Sequence, residues 1–275
     1  MICTVGIDSM FPKFKKVTME DLVKYCNDKK VLGVDTETSG LDWLTKEMLM
    51  CQIGDEETQF VIDVRTTDIS PLKEILEDEE IVKVLHHFAF DDKFFRNKGI
   101  YIESVWDTML MNKVLTCGKP VRHGLKNVIQ KYYPEELDNI DKETRNQFIN
   151  LNGAPFTEKQ ISYGADDVRL LPGIQKKQEE EIHTNELQGV AALENEAVIA
   201  FSEIEYNGIG FDSKPWLELG EMSKVEAIER ERELDGIIKN TPKLNKFIAD
   251  SFQGDLFMDS EEIRKINVQW SSPKQ

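Results

Sequence analysis

The chain has 275 residues, 40% of them hydrophobic, a formal charge of −17, and four cysteines with no CxxC pair. That length supports one large domain or two smaller ones around a real core, and the scattered cysteines speak against a disulfide framework or a zinc cluster. So acidic a chain is not built to coat nucleic acid, and with no apolar run long enough for a bilayer and no signal-peptide order at the N-terminus it reads as a soluble, intracellular protein.

VLGVDTET at residues 31–38 predicts a strand. EMLMCQIGD and QFVIDV follow with the polar DEET between them, which predicts a hairpin. In SPLKEILED, Ser70 stands as N-cap and Pro71 in the first turn of a helix. IVKVLHH predicts another strand, and FDDKFFRNKG a helix that Asp91 starts and Gly99 closes. DTMLMNKVL and HGLKNVIQKYY predict two more helices. Thr157 caps EKQISYGADDVRLL, Pro172 ends or kinks that helix, and GIQKKQEEEI resumes it. LQGVAALENEAVIAFSEIEYNGIGFD carries apolar residues at helical spacing and closes on glycine, and after Asp212 a long charged helix is predicted over KVEAIERERELDGII. A weak boundary falls near residues 183–190, and beyond about 240 the polar, poorly periodic tail is expected to be mobile.

Three elements bring carboxylates where packing does not call for them. Asp35 and Glu37 stand two apart on a strand and so project to one face, where a divalent cation would relieve their repulsion. Asp91 follows an apolar strand at a helix start, where it could equally cap the helix. Tyr163 and Asp167 stand four apart on a helix and share a face, while Asp166 points elsewhere. Taken singly, a solvated strand end, a cap and a core-edge hydrogen bond account for them. His86 and His87, adjacent on a strand, point oppositely and cannot easily share a metal.

Taken together, DxE, then D, then YxxxD come in an order that resembles the three exonuclease motifs of the DEDD superfamily in its tyrosine branch. The similarity is to the proofreading domain of family A, DNA polymerase I-like, polymerases. It is carried by DTETSGLD through Thr38, Leu41 and Asp42, by HHFAFD, by WDTML, which resembles FDTML, and by YGADD. In the second motif an Asn usually stands where this chain has His87. LENEAVIAFSEIEYNGIGFD resembles the segment joining nuclease to polymerase thumb, and INVQWSSPKQ an element at the start of the polymerase portion.

The resemblance implies an α/β fold, a ribonuclease H-like mixed sheet flanked by helices, followed by a helical segment like the start of a thumb. It divides the chain into a nuclease domain at 1–185 and a helical segment at 186–275, truncated before a polymerase domain of the same full-length chain. It implies that Asp35, Glu37, Asp91 and Asp167 hold two divalent ions, Mg²⁺ or Mn²⁺, and that Tyr163 orients the attacking water. The product would be nucleoside 5′-monophosphates from single-stranded DNA 3′ ends. Thr38 and Leu41 would contact the terminal nucleotide, with His87 a polar neighbour. Phe156, beside Phe88 and Phe90, is a candidate stacking surface, and Arg122 and His123 either reach a phosphate or form a plain loop. Two other functions remain: a ribonuclease D-like RNA exonuclease, against which the thumb-like segment argues, and a catalytically silent nucleic-acid-binding module, against which the four acids argue.

Overall fold

The computed structural model describes residues 1–7, 11–139, 142–149, 151–248, 266, 268 and 270. The chain divides into two compact units, Met1–Gly208 and Ile209–Gln275.

The first unit is built on one mixed sheet. Its strands are β1 (Ile2–Val5), β2 (Lys15–Lys16), β3 (Val31–Thr38), β4 (Met48–Gly54), β5 (Gln59–Asp63), β6 (Val82–Leu85) and β7 (Val105–Asp107), in the order β2-β1-β5-β4-β3-β6-β7. β4 runs antiparallel to both β3 and β5, and the remaining neighbours are parallel. β4 and β5 are buried along their whole length, which is why MLMCQIG and QFVID read as near-continuous apolar runs. Their hairpin turns at Asp55, whose carboxylate accepts the N–H groups of Glu57 and Thr58, each at 2.9 Å.

Nine helices flank the sheet: α1 (Met19–Asn27), α2 (Lys73–Leu76), α3 (Phe88–Arg96), α4 (Thr108–Thr116), α5 (Leu125–Tyr132), α6 (Lys142–Ile149), α7 (Glu158–Arg169), α8 (Leu171–Thr184) and α9 (Gln188–Asn207) among the described residues. One sheet face, with Leu32, Val34, Cys51 and Ile53, packs on Leu22 of α1 and Phe94 and Phe95 of α3. The other, with Met50 and Val61, packs on Ile161 and Ala165 of α7. This is the expected ribonuclease H-like architecture.

Two glycines seat α7 on the sheet. A Cβ on Gly33 of β3 would lie 2.5 Å from the Val168 carbonyl oxygen, and one on Gly164 of α7 would lie 2.6 Å from Gln52 Nε2. Their missing side chains let helix and strands meet closely. At the N-terminus of α7 the expected cap forms: Thr157 Oγ1 accepts from Gln160 N–H, and the Gln160 side chain accepts from Thr157 N–H. Pro172 divides α7 from α8, standing in the first turn of the latter.

Several boundaries differ from the sequence expectation. β6 stops at Leu85, so His86 and His87 lie beyond the strand, and α3 begins at Phe88 rather than Asp91. His87, at φ 78°, turns the chain into the helix through a left-handed conformation. Asn and His are among the few side chains that tolerate this conformation, which accounts for His at a position where the resembled family has Asn. Ser70 does not cap a helix: it opens a 3₁₀ turn, Ser70–Leu72, and its hydroxyl donates to Asp68 at 2.6 Å.

The thumb-like sequence forms α9, which packs within the first unit. Ser202 Oγ donates to Asp92 of α3 at 2.6 Å, and Asn195 Oδ1 accepts the Asp107 N–H at 3.1 Å. In the second unit Asp212 caps α10 (Ser213–Asn240), accepting the Lys214 N–H at 3.2 Å. Its charged face carries exposed pairs such as Arg230–Glu233. Of the tail expected to be mobile, residues 241–248 are described and carry a 3₁₀ helix, Pro242–Phe247, while most of the rest, and most of INVQWSSPKQ, lies outside the described residues. No helix of the described residues is long and apolar enough to cross a membrane.

Candidate active site

β3 carries the first two acids to the sheet's C-terminal edge. Asp35 and Glu37 leave the face on which α7 lies, and the ladder with β4 shifts register between Glu37 and Thr38. Such irregularities recur beside sites because they re-aim side chains. α7 brings Asp167 over this edge. Asp35, Glu37 and Asp167 each place one oxygen within 4.8 Å of the others. Carboxylates this close repel unless a cation lies among them, and an all-oxygen donor set suits a hard divalent ion.

Tyr163, one turn before Asp167, stands beside the same group. Its phenol is pushed far above the ordinary value by burial, then by the charges of Asp167, Glu37 and Asp35, with a hydrogen bond to Asp167 in the same direction. Asp166 points away, paired with Arg169 at 3.3 Å, which in turn binds Glu136 at 2.7 Å.

Asp91 is not one of the three clustered acids. It is buried, and it accepts a hydrogen bond from Thr36 Oγ1, on the β3 face opposite Asp35 and Glu37. It nonetheless lies in the same region: burial first, then Asp35 and Asp91 together, hold the Cys51 thiol well above its ordinary pKa. Its neighbour Asp92 is fully buried and structural. Arg96 Nε and Ser202 Oγ both donate to Asp92 Oδ2 at 2.6 Å, and burial holds its carboxyl above the usual range.

A residue not singled out in the sequence organises the second motif. Asp107, at the end of β7, accepts from the N–H groups of His87 (3.2 Å) and Phe88 (3.0 Å) at the start of α3. The same carboxylate accepts from Met109 (2.9 Å) and Leu110 (3.2 Å) at the start of α4. An Asp directly ahead of a helical run is a capping signal for α4, but its second duty is visible only in three dimensions.

The expected substrate contacts fare differently. Leu41 is 74% exposed in the loop after β3. Thr38 is buried, and its hydroxyl donates to the Gly40 carbonyl at 2.8 Å. His87 is exposed, its ring facing Phe90 at 6.4 Å, while His86 Nδ1 pairs with Thr108 Oγ1 at 2.9 Å. Phe156 is corrected as a stacking surface: only 4% exposed, it packs on Phe148, and the Arg65 guanidinium covers its ring at 4.1 Å. Phe88 is core. Arg122 lies exposed in a loop, and the His123 ring is held by Asn112 at 2.9 Å. All four cysteines are free.

The chain is similar to ribonuclease D of Pseudomonas paraeruginosa, 32% identical over 142 residues, and to ribonuclease D of Escherichia coli, 31% identical over 166 residues. These matches cover 51% and 58% of this chain but only 36% and 42% of the relatives, so the chain spans about two fifths of their length. The crystal structure of Escherichia coli RNase D, an exoribonuclease involved in structured RNA processing, matches with a TM-score of 0.58 and 25% identity over 72% of this chain and 50% of that one. Brucella melitensis NrnC with bound Mg²⁺ shares the fold at a TM-score of 0.60 and 20% identity, over 76% of this chain and 94% of that one.

These findings correct two expectations. The curated relatives carry the name ribonuclease D, so the proofreading of DNA 3′ ends and the polymerase partner in the same chain are both set aside. The segment resembling a polymerase thumb does not outweigh them. What stands is the nuclease itself. The 3′–5′ exonuclease family model matches residues 13–183, more than half of the chain. With Asp35, Glu37, Asp91, Tyr163 and Asp167 all inside that match, the chain belongs to the 3′–5′ exonuclease family.

Proposed function

We propose that this chain is a metal-dependent 3′–5′ exoribonuclease of the ribonuclease D kind, releasing nucleoside 5′-monophosphates from RNA 3′ ends. The observation that carries the chemistry is the group of three carboxylates within 4.8 Å, with Tyr163 hydrogen-bonded to one of them. The ribonuclease D relatives support RNA as the substrate class.

Asp35, Glu37 and Asp167 would hold a divalent cation, with Asp91 joining from α3, and the absence of sulfur and nitrogen donors favours Mg²⁺ or Mn²⁺ over Zn²⁺. When bound, a pair of such ions supplies a more acidic water and charge stabilisation for the attacking and leaving oxygens. Tyr163 orients the water and does not deprotonate it, because so weak an acid gives no useful phenolate near neutral pH. Leu41, exposed on the loop after β3, would pack on the terminal sugar or base. A formal charge of −17 leaves the cations to meet the phosphates, which suits an enzyme that grips a few terminal nucleotides.

The test is a pair of 5′-labelled oligonucleotides of one sequence, RNA and DNA, incubated with Mn²⁺ and separately with EDTA. The expected result is stepwise shortening of the RNA with Mn²⁺ and none with EDTA. Faster shortening of the DNA would overturn the substrate, and no shortening of either strand the enzymatic reading.

A further inference from the structure

Gln52 lies in the middle of β4 and is fully buried. Among the described residues neither its Nε2 nor its Oε1 has a hydrogen-bond partner. An unpaired buried amide is costly, and native interiors pair nearly all such groups.

Its position says what the amide is for. Gln52 is the direct partner of Asp35 in the antiparallel ladder, so the two side chains leave the same sheet face with Cβ atoms about 5 Å apart. The face is the one over which α7 brings Asp167 and Tyr163. α7 makes room for the amide at Gly164, where a Cβ would stand 2.6 Å from Nε2 and 2.9 Å from Met50 Sδ. A glycine inside a helix is less favourable than alanine, so its presence between Tyr163 and Asp167 answers to this close approach.

We propose that Gln52 is a positioning residue for the metal site: its Nε2 donates to the Asp35 carboxylate when the acid cluster carries its divalent cations, and Gly164 keeps the space for it. The inference rests on the metal-dependent reading above. An acidic ligand has two oxygens, either of which can face a cation. A donor on one oxygen turns the other toward the cation and removes one source of disorder from the site. Hydrogen-bond partners of metal-ligating carboxylates act this way in general, and their loss weakens metal binding about 10–100-fold.

The test uses Gln52→Met in the full chain, a change that keeps the length of the side chain and removes both polar atoms. Mn²⁺ binding by titration calorimetry is expected to weaken about 10–100-fold. Cleavage of an RNA oligonucleotide should need correspondingly more Mn²⁺ for half-maximal kcat, with KM for the RNA unchanged. The metal-free protein should melt at the same temperature or higher, because an unpaired amide is gone. A purely structural Gln52 predicts the opposite pattern, a lowered metal-free Tm with unchanged Mn²⁺ affinity, and that result overturns the proposal. Should Gln52→Met not fold, the wild-type side-chain amide signal in ¹⁵N NMR decides: Mg²⁺ is expected to shift it and slow its exchange, and no change at saturation refutes the role. Wild-type protein that binds no Mn²⁺ would sink the metal-dependent reading itself, whereas equal binding by wild type and variant sinks only the role of Gln52.

Discussion

Lys83 is among the largest fully buried side chains, and it is a charge. It lies on β6 between Leu32 of β3 and Val105 of β7, with its ammonium donating to the Asp78 carbonyl. Burial lowers its pKa from 10.5 to about 8, against the weaker opposing pull of Asp78, Glu103 and Glu79. The folded state therefore holds the proton less tightly than the unfolded chain. Below pH 8 both states are charged and the full cost of burial is present. As pH rises the folded protein gives up the proton first, so stability increases until the unfolded chain follows near 10.5. A shift of that size corresponds to about 3 kcal/mol in all, of which somewhat under half is recovered by pH 9 and roughly three quarters by pH 10. Lys83→Met removes the charge and keeps the stem. It should be more stable than wild type at pH 7 by about 1–3 kcal/mol, after the lost hydrogen bond is set against the relieved burial. The difference should close as pH rises. Urea unfolding of both proteins from pH 7 to 10 reads this directly, since groups that titrate alike in the two proteins cancel. A wild-type-minus-variant difference that stays flat across the range would refute the reasoning.

Asp107→Ala should cost about 1–4 kcal/mol in urea unfolding, because it strips the caps from two helices, whereas Asp107→Asn, which still accepts hydrogen bonds, should cost less; equal stabilities would remove the double cap from the account. Asp91→Ala should abolish cleavage of RNA with little loss of Tm. Asp92→Ala should lower stability by about 3–5 kcal/mol by leaving Arg96 buried without its partner, while the protein that remains folded keeps activity. Melting curves read beside activity separate the two, and a stable, inactive Asp92→Ala would reverse the assignment. Tyr163→Phe should slow kcat about tenfold, the worth of one orienting hydrogen bond, without changing the shape of the pH–rate profile; loss of an alkaline or acid limb in the variant would mean that the phenol transfers a proton.

The sheet was legible because its buried strands are long apolar runs bounded by turn residues, and α7 because Thr157 and Gln160 form a capping box ahead of a periodic stretch. The second motif was less so. A helix start is set by backbone torsion and by whatever satisfies its first N–H groups. Here both come from outside the local sequence: His87 adopts a left-handed turn that few non-glycine residues tolerate, and Asp107, twenty residues on, supplies the acceptor. Reading Asp91 as the helix start set that start three residues late, because α3 begins at Phe88. Phe156 was misread for a related reason. An aromatic in a polar stretch signals exposure in one dimension, but Arg65 and Phe148, distant in sequence, close over it.

The acids themselves illustrate why a pattern can identify a chemistry without fixing its substrate. Two carboxylates at alternate strand positions and a Tyr–Asp pair one helical turn apart are geometric statements, and the fold brings three of these acids together. What the geometry also needs is a helix that touches the strand, and that requirement is written in absences. Gly33 and Gly164 carry no side chain to announce themselves, yet a methyl group at either would push α7 off β3 or β4 and carry Asp167 away from Asp35 and Glu37. Substrate choice lies at a further remove. It depends on surfaces that meet a sugar, and these are not constrained by the spacing of the acids. The motifs thus fix an exonuclease more firmly than they fix DNA or RNA, and the resemblance that reached past them, through an apolar helix read as a thumb, followed a periodicity that α9 uses to pack on α3.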